Sequence, residues 1–342
     1  MNIAIILPAY NEELTIAATI EEFYKELPKA RIVVVNNNSS DGTADIAAAT
    51  LKRIGAFGEV IAEPRQGKGN AVRRAFTDIE ADIYVMCDAD CTYPANRIHD
   101  LIRPVAQNEA DLVTGDRFTF GHYEAENDRS FHSFGNRAVR WLINMLFGAR
   151  RKDIMTGYMV FSRKFIRNYP ILVEGFQLET DIALHALDKR FRVLEIPVEY
   201  RNRPAGSVSK LNTFADGTKV IFTIASILRY YRPLFFFTAM ALCLALLGLV
   251  AAIPVFGDWL IHRFIYHVPL AVLAASLELT AVMALGVGLI LDSITHQYRM
   301  TFERQLLNTR RDTAPSDQHE HASGTTSGGK LNGAIRGDGE IR

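Results

Sequence analysis

Ile83-Tyr84-Val85-Met86-Cys87-Asp88-Ala89-Asp90 decides the fold: four apolar residues and a cysteine run directly into two carboxylates spaced by one alanine. An apolar run without alternation reads as a strand covered on both faces, as in a parallel sheet between helices. In an extended backbone residues i and i+2 point to the same side, so Asp88 and Asp90 are placed together at the carboxyl end of that strand. Upstream and downstream the same pattern returns. Ile3 to Leu7 and Ile32 to Val35 are continuously apolar, and further β-rich runs begin near Val60 and Leu112, separated by helical periodicity or turn residues. A recurrence of roughly 25 to 30 residues is what βαβ units require, so the first two-thirds of the chain is read as an α/β domain with a mainly parallel sheet. Ligands of such sheets collect beyond the carboxyl ends of the strands. Those ends are Pro8-Ala9-Tyr10-Asn11-Glu12, Asn36-Asn37-Asn38, Arg65 to Gly69, Asp88-Ala89-Asp90 and Gly115-Asp116-Arg117.

Two hard oxygen donors on one side of a strand end suit Mg²⁺ or Mn²⁺ bound jointly with substrate phosphates. No G-x-G-x-x-G follows the first strand, which disfavours a dehydrogenase, and Gly67-Lys68-Gly69 lacks the spacing of a phosphate-binding G-x-x-x-x-G-K-[ST] loop. Lys68 is then either a phosphate contact or part of a plain turn. The 342 residues carry 38 basic and 38 acidic side chains, so no net charge draws the chain to nucleic acid. Cys87, Cys91 and Cys243 are too few for a disulfide framework and point to a reducing compartment. Met1 to Tyr10 has no basic leader or cleavage site and reads as the first strand.

Composition shifts sharply after about residue 211. Residues 212–232 combine an apolar stripe with Lys219 and Arg229, the pattern of an amphipathic helix lying at a membrane surface. Leu234 to Phe256 is free of charge, and Val268 to Leu291 contains only Glu278, so each can cross a hydrocarbon core of about 30 Å. Arg229, Arg232, Arg299, Arg304, Arg310 and Arg311 flank the outer ends of the pair, against Arg263 alone in the connection. That asymmetry places both termini, and with them the α/β domain, on the cytoplasmic side of the membrane. The division is therefore a 1–211 α/β domain, 212–232 juxtamembrane, 233–292 transmembrane, and 293–342 a cytoplasmic, largely disordered tail. Glu278 is costly in mid-membrane and reads either as a functional group or as a hydrogen-bonding link between helices or subunits.

Pro8-Ala9-Tyr10-Asn11-Glu12, the strand Val33-Val34-Val35 followed by Ser39-Ser40-Asp41-Gly42-Thr43, and Asp88-Ala89-Asp90 together resemble family 2 of the glycosyltransferases, with the GT-A fold. The two apolar spans make the chain most similar to its polyprenyl-phosphate group, which contains dolichol-phosphate mannose synthase. The resemblance implies that Pro8, Tyr10, Glu12, Asn37, Asp88 and Ala89 hold the nucleotide, to which Lys68 is added as the phosphate contact read from Gly67-Lys68-Gly69, and that Asp88 and Asp90 hold a divalent cation, Mg²⁺ or Mn²⁺. Asn37 stands where the family usually has Asp, and Thr92 where a third metal ligand is often Gln; Thr92 either ligates weakly or leaves the place to water. Arg117, Arg129, Ser133, Arg203 and Lys210 match residues around the acceptor phosphate, while Gln177 and Glu179 match the segment facing the donor sugar. Asp90, Asp153 and Arg117 are the implied catalytic residues.

The activity so implied is inverting transfer of a hexose from a UDP- or GDP-linked sugar to a polyprenyl phosphate such as undecaprenyl phosphate. Membrane lipid is then the surrounding partner, nucleic acid is not one, and a homo-oligomer is admitted. Two other readings stand beside it. A processive polysaccharide synthase would need a longer membrane region and a Q-x-x-R-W-type motif, neither of which is in the sequence. A membrane-anchored nucleotide-sugar sensor or scaffold is the alternative from a different class, kept open by Asn37 and Thr92.

Overall fold

A computed structural model describes residues 1–119, 130–173, 178–204 and 216–312, with the backbone alone described for 130–136, 216–223 and 308–312. Seven strands form one sheet: β1 Ile3–Ala9, β2 Arg31–Asn36, β3 Gly58–Ala62, β4 Ile83–Met86, β5 Leu112–Asp116, β6 Met159–Ser162 and β7 Val193–Pro197. Their spatial order is β3-β2-β1-β4-β6-β5-β7. All pairings are parallel except those of β6, which runs antiparallel to both β4 and β5. The five strands expected from apolar runs are present. β6 and β7 are additions, and β6 is what makes the sheet mixed.

The connecting helices are α1 Ile16–Glu26, α2 Thr43–Ile54, α3 Lys68–Asp78 and α4 Ile98–Ala106, followed by α5 Ser130–Phe147, α6 Arg163–Arg167 and α7 Leu178–Asp188. Ile5, Ile6, Leu7, Ile32, Val33, Val34, Val35 and Val85 are completely buried, as strands covered on both faces must be. Each such side chain contributes about 1.5–3 kcal/mol by leaving water. The chain order along the sheet reverses between β1 and β4, because β1 leads outward to β2 and β3 while β4 opens the other half. A reversal of this kind leaves a crevice at the carboxyl ends of the two strands. Pro8 to Glu12 leave β1 at this crevice, and Cys87 to Asp90 leave β4 there.

Three further helices follow: α8 Asp216–Tyr231, α9 Pro233–His262 and α10 Val268–Asp312. α9 and α10 each contain a stretch long and apolar enough to cross a membrane. Little of either stretch is covered by protein, and Leu246, Leu249, Val250, Ile253, Val282, Leu289 and Ile290 are exposed. The apolar run ending at Leu291 is only the first half of α10, whose helix continues to Asp312 through the polar sequence of the expected disordered tail. Residues 1–299 form one compact unit, and residues 300–342 form a second that holds the polar end of α10. Glu278 lies against α9, where a Cβ on Gly248 would come within 2.8 Å of its Oε1, and that oxygen is buried with no hydrogen-bond partner among the described residues.

Candidate active site

The loops leaving β1 and β2 are laced together by their own polar groups. Asn11 takes up a left-handed conformation (φ 52°), and its backbone N–H donates to Ser39 Oγ at 3.0 Å while its Oδ1 accepts from the Ser40 N–H at 2.8 Å. The Glu12 N–H donates to Thr43 Oγ1 at 2.8 Å. Thr43 in turn donates its N–H, at 3.1 Å, and its hydroxyl to Asp41. Burial alone would raise the Asp41 carboxyl, but these bonds and one from the Glu13 N–H hold it below the usual carboxylate range. Pro8 lies within β1 opposite Val35 of β2, and these bonds fix Asn11 and Glu12 just beyond the strand's end.

Asn37 departs from its expected role. Its side chain is buried, and its amide nitrogen donates to the carbonyls of Glu63 (3.3 Å) and Arg65 (2.7 Å), while its Oδ1 accepts from the Gly67 N–H at 2.7 Å. The group expected to meet the nucleotide instead fastens the loop that delivers Lys68. An aspartate, with acceptors only, could not satisfy those two carbonyls. Gly67 sits at φ 132°, which favours glycine, and α3 starts immediately after it. In the same loop Glu63 accepts from the Arg65 side chain and N–H at 2.8–2.9 Å, which holds its carboxyl down at about 2.

Four carboxylates and two cations meet around the β4 end. Lys68 Nζ lies 2.5 Å from Asp88 Oδ1 and also contacts Glu179 Oε1. Burial would lower the lysine, but the two carboxylates override it and keep it firmly charged. Arg203 NH2 lies 2.6 Å from Asp90 Oδ2, and its NH1 lies 3.9 Å from Glu12 Oε1. Burial, helped by the neighbouring charge of Asp88, raises the Asp90 carboxyl, against the pull of Arg203 and Thr92. Among the described residues, the four carboxylates of this cluster formally outnumber its two cations by two.

That excess and the hard oxygen donors fit a divalent cation. Among the described residues no group of three His, Cys, Asp or Glu side chains could cage one, so the remaining ligand positions would fall to substrate oxygens and water. The Thr92 hydroxyl donates to Asp90 Oδ1 at 2.5 Å and thus braces a carboxylate.

Two features of the site were not read from the sequence. A Cβ on Gly157 would lie 2.0 Å from Asp88 Oδ2, so only glycine leaves room for that carboxylate. The Gly157 N–H donates to the buried Tyr93 hydroxyl at 2.8 Å, which seats this loop against the β4 end. The Asp-x-x-Thr-Gly stretch at 153–157 carried the signal without revealing the contact.

Arg117 and Asp153, expected as a phosphate contact and a catalytic pair, are spent on each other. The Arg117 Nε and NH2 donate to the Asp153 carboxylate at 2.7 and 2.9 Å, its backbone N–H adds a third bond at 3.2 Å, and NH2 also donates to the Met155 carbonyl at 2.8 Å. Both side chains are buried. The geometry makes them positioning residues that pin the start of the 153–157 loop to the end of β5. Arg201 pairs with Glu22, and its N–H donates to the Thr92 carbonyl at 2.8 Å, which carries Arg203 to the carboxylates. Arg129, Gln177 and Lys210 lie outside the described residues, and Ser133 falls in the part of α5 described by backbone alone.

Residues 4–170 match the model of a family described as glycosyl transferase family 2. The chain is 29% identical over 303 residues to glycosyltransferase AglJ of Haloferax volcanii, covering 88% of this chain and 96% of that one. It is 44% identical to protein RfbJ of Shigella flexneri, over 34% of this chain and 85% of the relative. A dolichyl-phosphate hexose transferase of Haloferax volcanii is 29% identical, over 64% of this chain and 90% of its own. Among solved structures, glucosyl-3-phosphoglycerate synthase of Mycobacterium tuberculosis, in complex with Mn²⁺, UDP and phosphoglyceric acid, superposes with a TM-score of 0.51 at 20% identity, over 66% of this chain and 77% of that one. At that identity the likeness speaks for the fold.

Proposed function

The chain belongs to glycosyl transferase family 2, and from that premise we propose that it transfers a hexose, with inversion, from a UDP- or GDP-linked sugar to a polyprenyl phosphate at a membrane surface. The observation that carries the reading is the paired Asp88–Lys68 and Asp90–Arg203 cluster at the β1/β4 reversal. The relative named for dolichyl-phosphate hexose transfer and the Mn²⁺ and UDP in the mycobacterial enzyme support the two substrates and the cation.

In this reading Asp88 and Asp90 hold a divalent cation, Mg²⁺ or Mn²⁺, which when bound supplies Lewis acidity and charge compensation for the departing diphosphate. Lys68, released from Asp88, turns its ammonium to a donor phosphate. Arg203, released from Asp90, offers a planar fork to the acceptor phosphate, with Arg129, Ser133 and Lys210 as its further contacts. Pro8, Tyr10 and Glu12 line the nucleotide side, while Glu179 and Gln177 face the sugar. A phosphate monoester has its second pKa near about 6 and is already mostly ionised at neutral pH, so the attack needs no strong base. Locking Asp153 to Arg117 therefore withholds nothing from the reaction. α9 and α10 span the membrane, with the catalytic domain and both termini cytoplasmic, so that the lipid need raise only its phosphate into the crevice.

The test is a panel of UDP- and GDP-sugars incubated with undecaprenyl phosphate and membranes holding the full chain, with lipid-linked product read by mass. One donor should give product, and Asp90→Asn should lower its rate by about 100-fold or more. Undiminished product from Asp90→Asn would remove the cation from the mechanism, and turnover with no donor would favour a sensor.

A further inference from the structure

About 14 Å along α7 from Glu179, at the helix's far end, a second polar cavity opens between α7, α8 and α10. It encloses about 210 Å³ and is lined by His185, Asp188, Lys189, Tyr230, Tyr231, Thr295 and Tyr298. At about 30 Å³ per water, that is room for a phosphate group and part of what it esterifies. The lining carboxylate Asp188 pairs with two cations, Lys189 of the lining (Nζ at 3.1 Å) and Arg299 behind it (NH2 at 2.6 Å). A third cation, Arg229, lies with its guanidinium 4.6 Å from the centre of the Tyr230 ring and donates to the Tyr230 hydroxyl at 2.7 Å. His185 adds no charge at neutral pH, because burial and the adjacent Lys189 lower it to about 4.

The depth of the cavity is set by the chain itself. Tyr230 and Tyr231 lie just before Arg232 and the start of α9 at Pro233, and Thr295 and Tyr298 follow the end of the apolar run at Leu291. Tyrosines and cations at the ends of apolar spans lie where lipid headgroups are. The geometry points to a binding site here for the phosphodiester headgroup of an anionic glycerophospholipid, separate from the crevice and occupied by bilayer lipid. The hydroxyls of Tyr230 and Tyr298 and the ammonium of Lys189 supply donors; within the lining Lys189 offsets Asp188, and Arg299 and Arg229, bonded to Asp188 and Tyr230 from outside the lining, add the positive charge that favours a net negative headgroup. This rests on the membrane placement proposed above and not on glycosyl transfer.

The experiment embeds the full chain in nanodiscs of phosphatidylcholine with about 30% phosphatidylglycerol and reads the lipid retained on ejection by native mass spectrometry. Wild type should keep phosphatidylglycerol in preference to phosphatidylcholine. Lys189→Gln and Arg229→Gln should each lower that preference about fivefold while melting like wild type in phosphatidylcholine alone. No preference in wild type, or an unchanged one in both variants, overturns the site, as does displacement of the lipid by inorganic phosphate alone. Release of the chain from membranes by alkaline carbonate would overturn the membrane placement as well, so the two failures are distinguishable.

Discussion

In the crevice, Asp88 and Glu179 share Lys68, and Asp90 and Glu12 share Arg203, whereas between α9 and α10 Glu278 keeps a buried oxygen with no hydrogen-bond partner among the described residues. A carboxylate withdrawn from water is costly unless paired. The crevice therefore sets each of its carboxylates against a counter-cation that a divalent ion and phosphates can replace. The helix pair holds its carboxyl by packing against Gly248.

Breaking the pairing in the crevice should produce the largest effect. Gly157→Ala would set a methyl 2.0 Å from Asp88 Oδ2 and drive the carboxylate off Lys68. Transfer should fall about 100-fold, as a displacement of about 1 Å in a catalytic group can cost that much. Steady-state kinetics beside a thermal melt check this, and a rate near wild type would show that the position of Asp88 does not matter. His185 sharpens the rule from the cationic side. It is buried among the rings of Phe165, Tyr169 and Phe191, and its folded value near 4 lies below the unfolded 6.5. Its contribution is complete above pH 6.5 and is lost as pH falls toward 4, a loss on the order of 3 kcal/mol. His185→Phe should flatten that part of the melting profile between pH 7 and 4; an equal decline in both proteins would place the acid sensitivity elsewhere. Smallest is Glu278→Gln, which keeps the shape and removes only the option of charge. Its stability in detergent should stay within about 1 kcal/mol of wild type, and a larger loss would mean that Glu278 works as an ion.

How much of this was legible follows from which interactions are local. β1, β2 and β4 could be read because strands buried on both faces are continuously apolar, and Asp88 with Asp90 because their place at a strand end fixes their direction. β6 is only four residues long and β7 is partly exposed along its length, so neither leaves a periodic trace. The second half of α10 is polar, so its helix shows no apolar stripe to read. In the crevice, Lys68 meets Glu179 across 111 residues of sequence, and Arg117 meets Asp153 across 36, separations over which no pattern announces a partner. The role of Gly157 depends on an approach of two loops that only the folded chain displays.

Asn37 has a consequence for anyone exchanging parts between this chain and its relatives. Its amide and the loop from Glu63 to Gly67 behave as one heritable module, because the side chain's two donated bonds end on that loop's carbonyls and its oxygen receives the Gly67 amide. A chimera that imported an acidic residue at 37 while keeping the native 63–67 segment would set a carboxylate against two carbonyl oxygens, and the reciprocal graft would strand the amide. Swapped together, the two pieces remain compatible, and Lys68 travels with them.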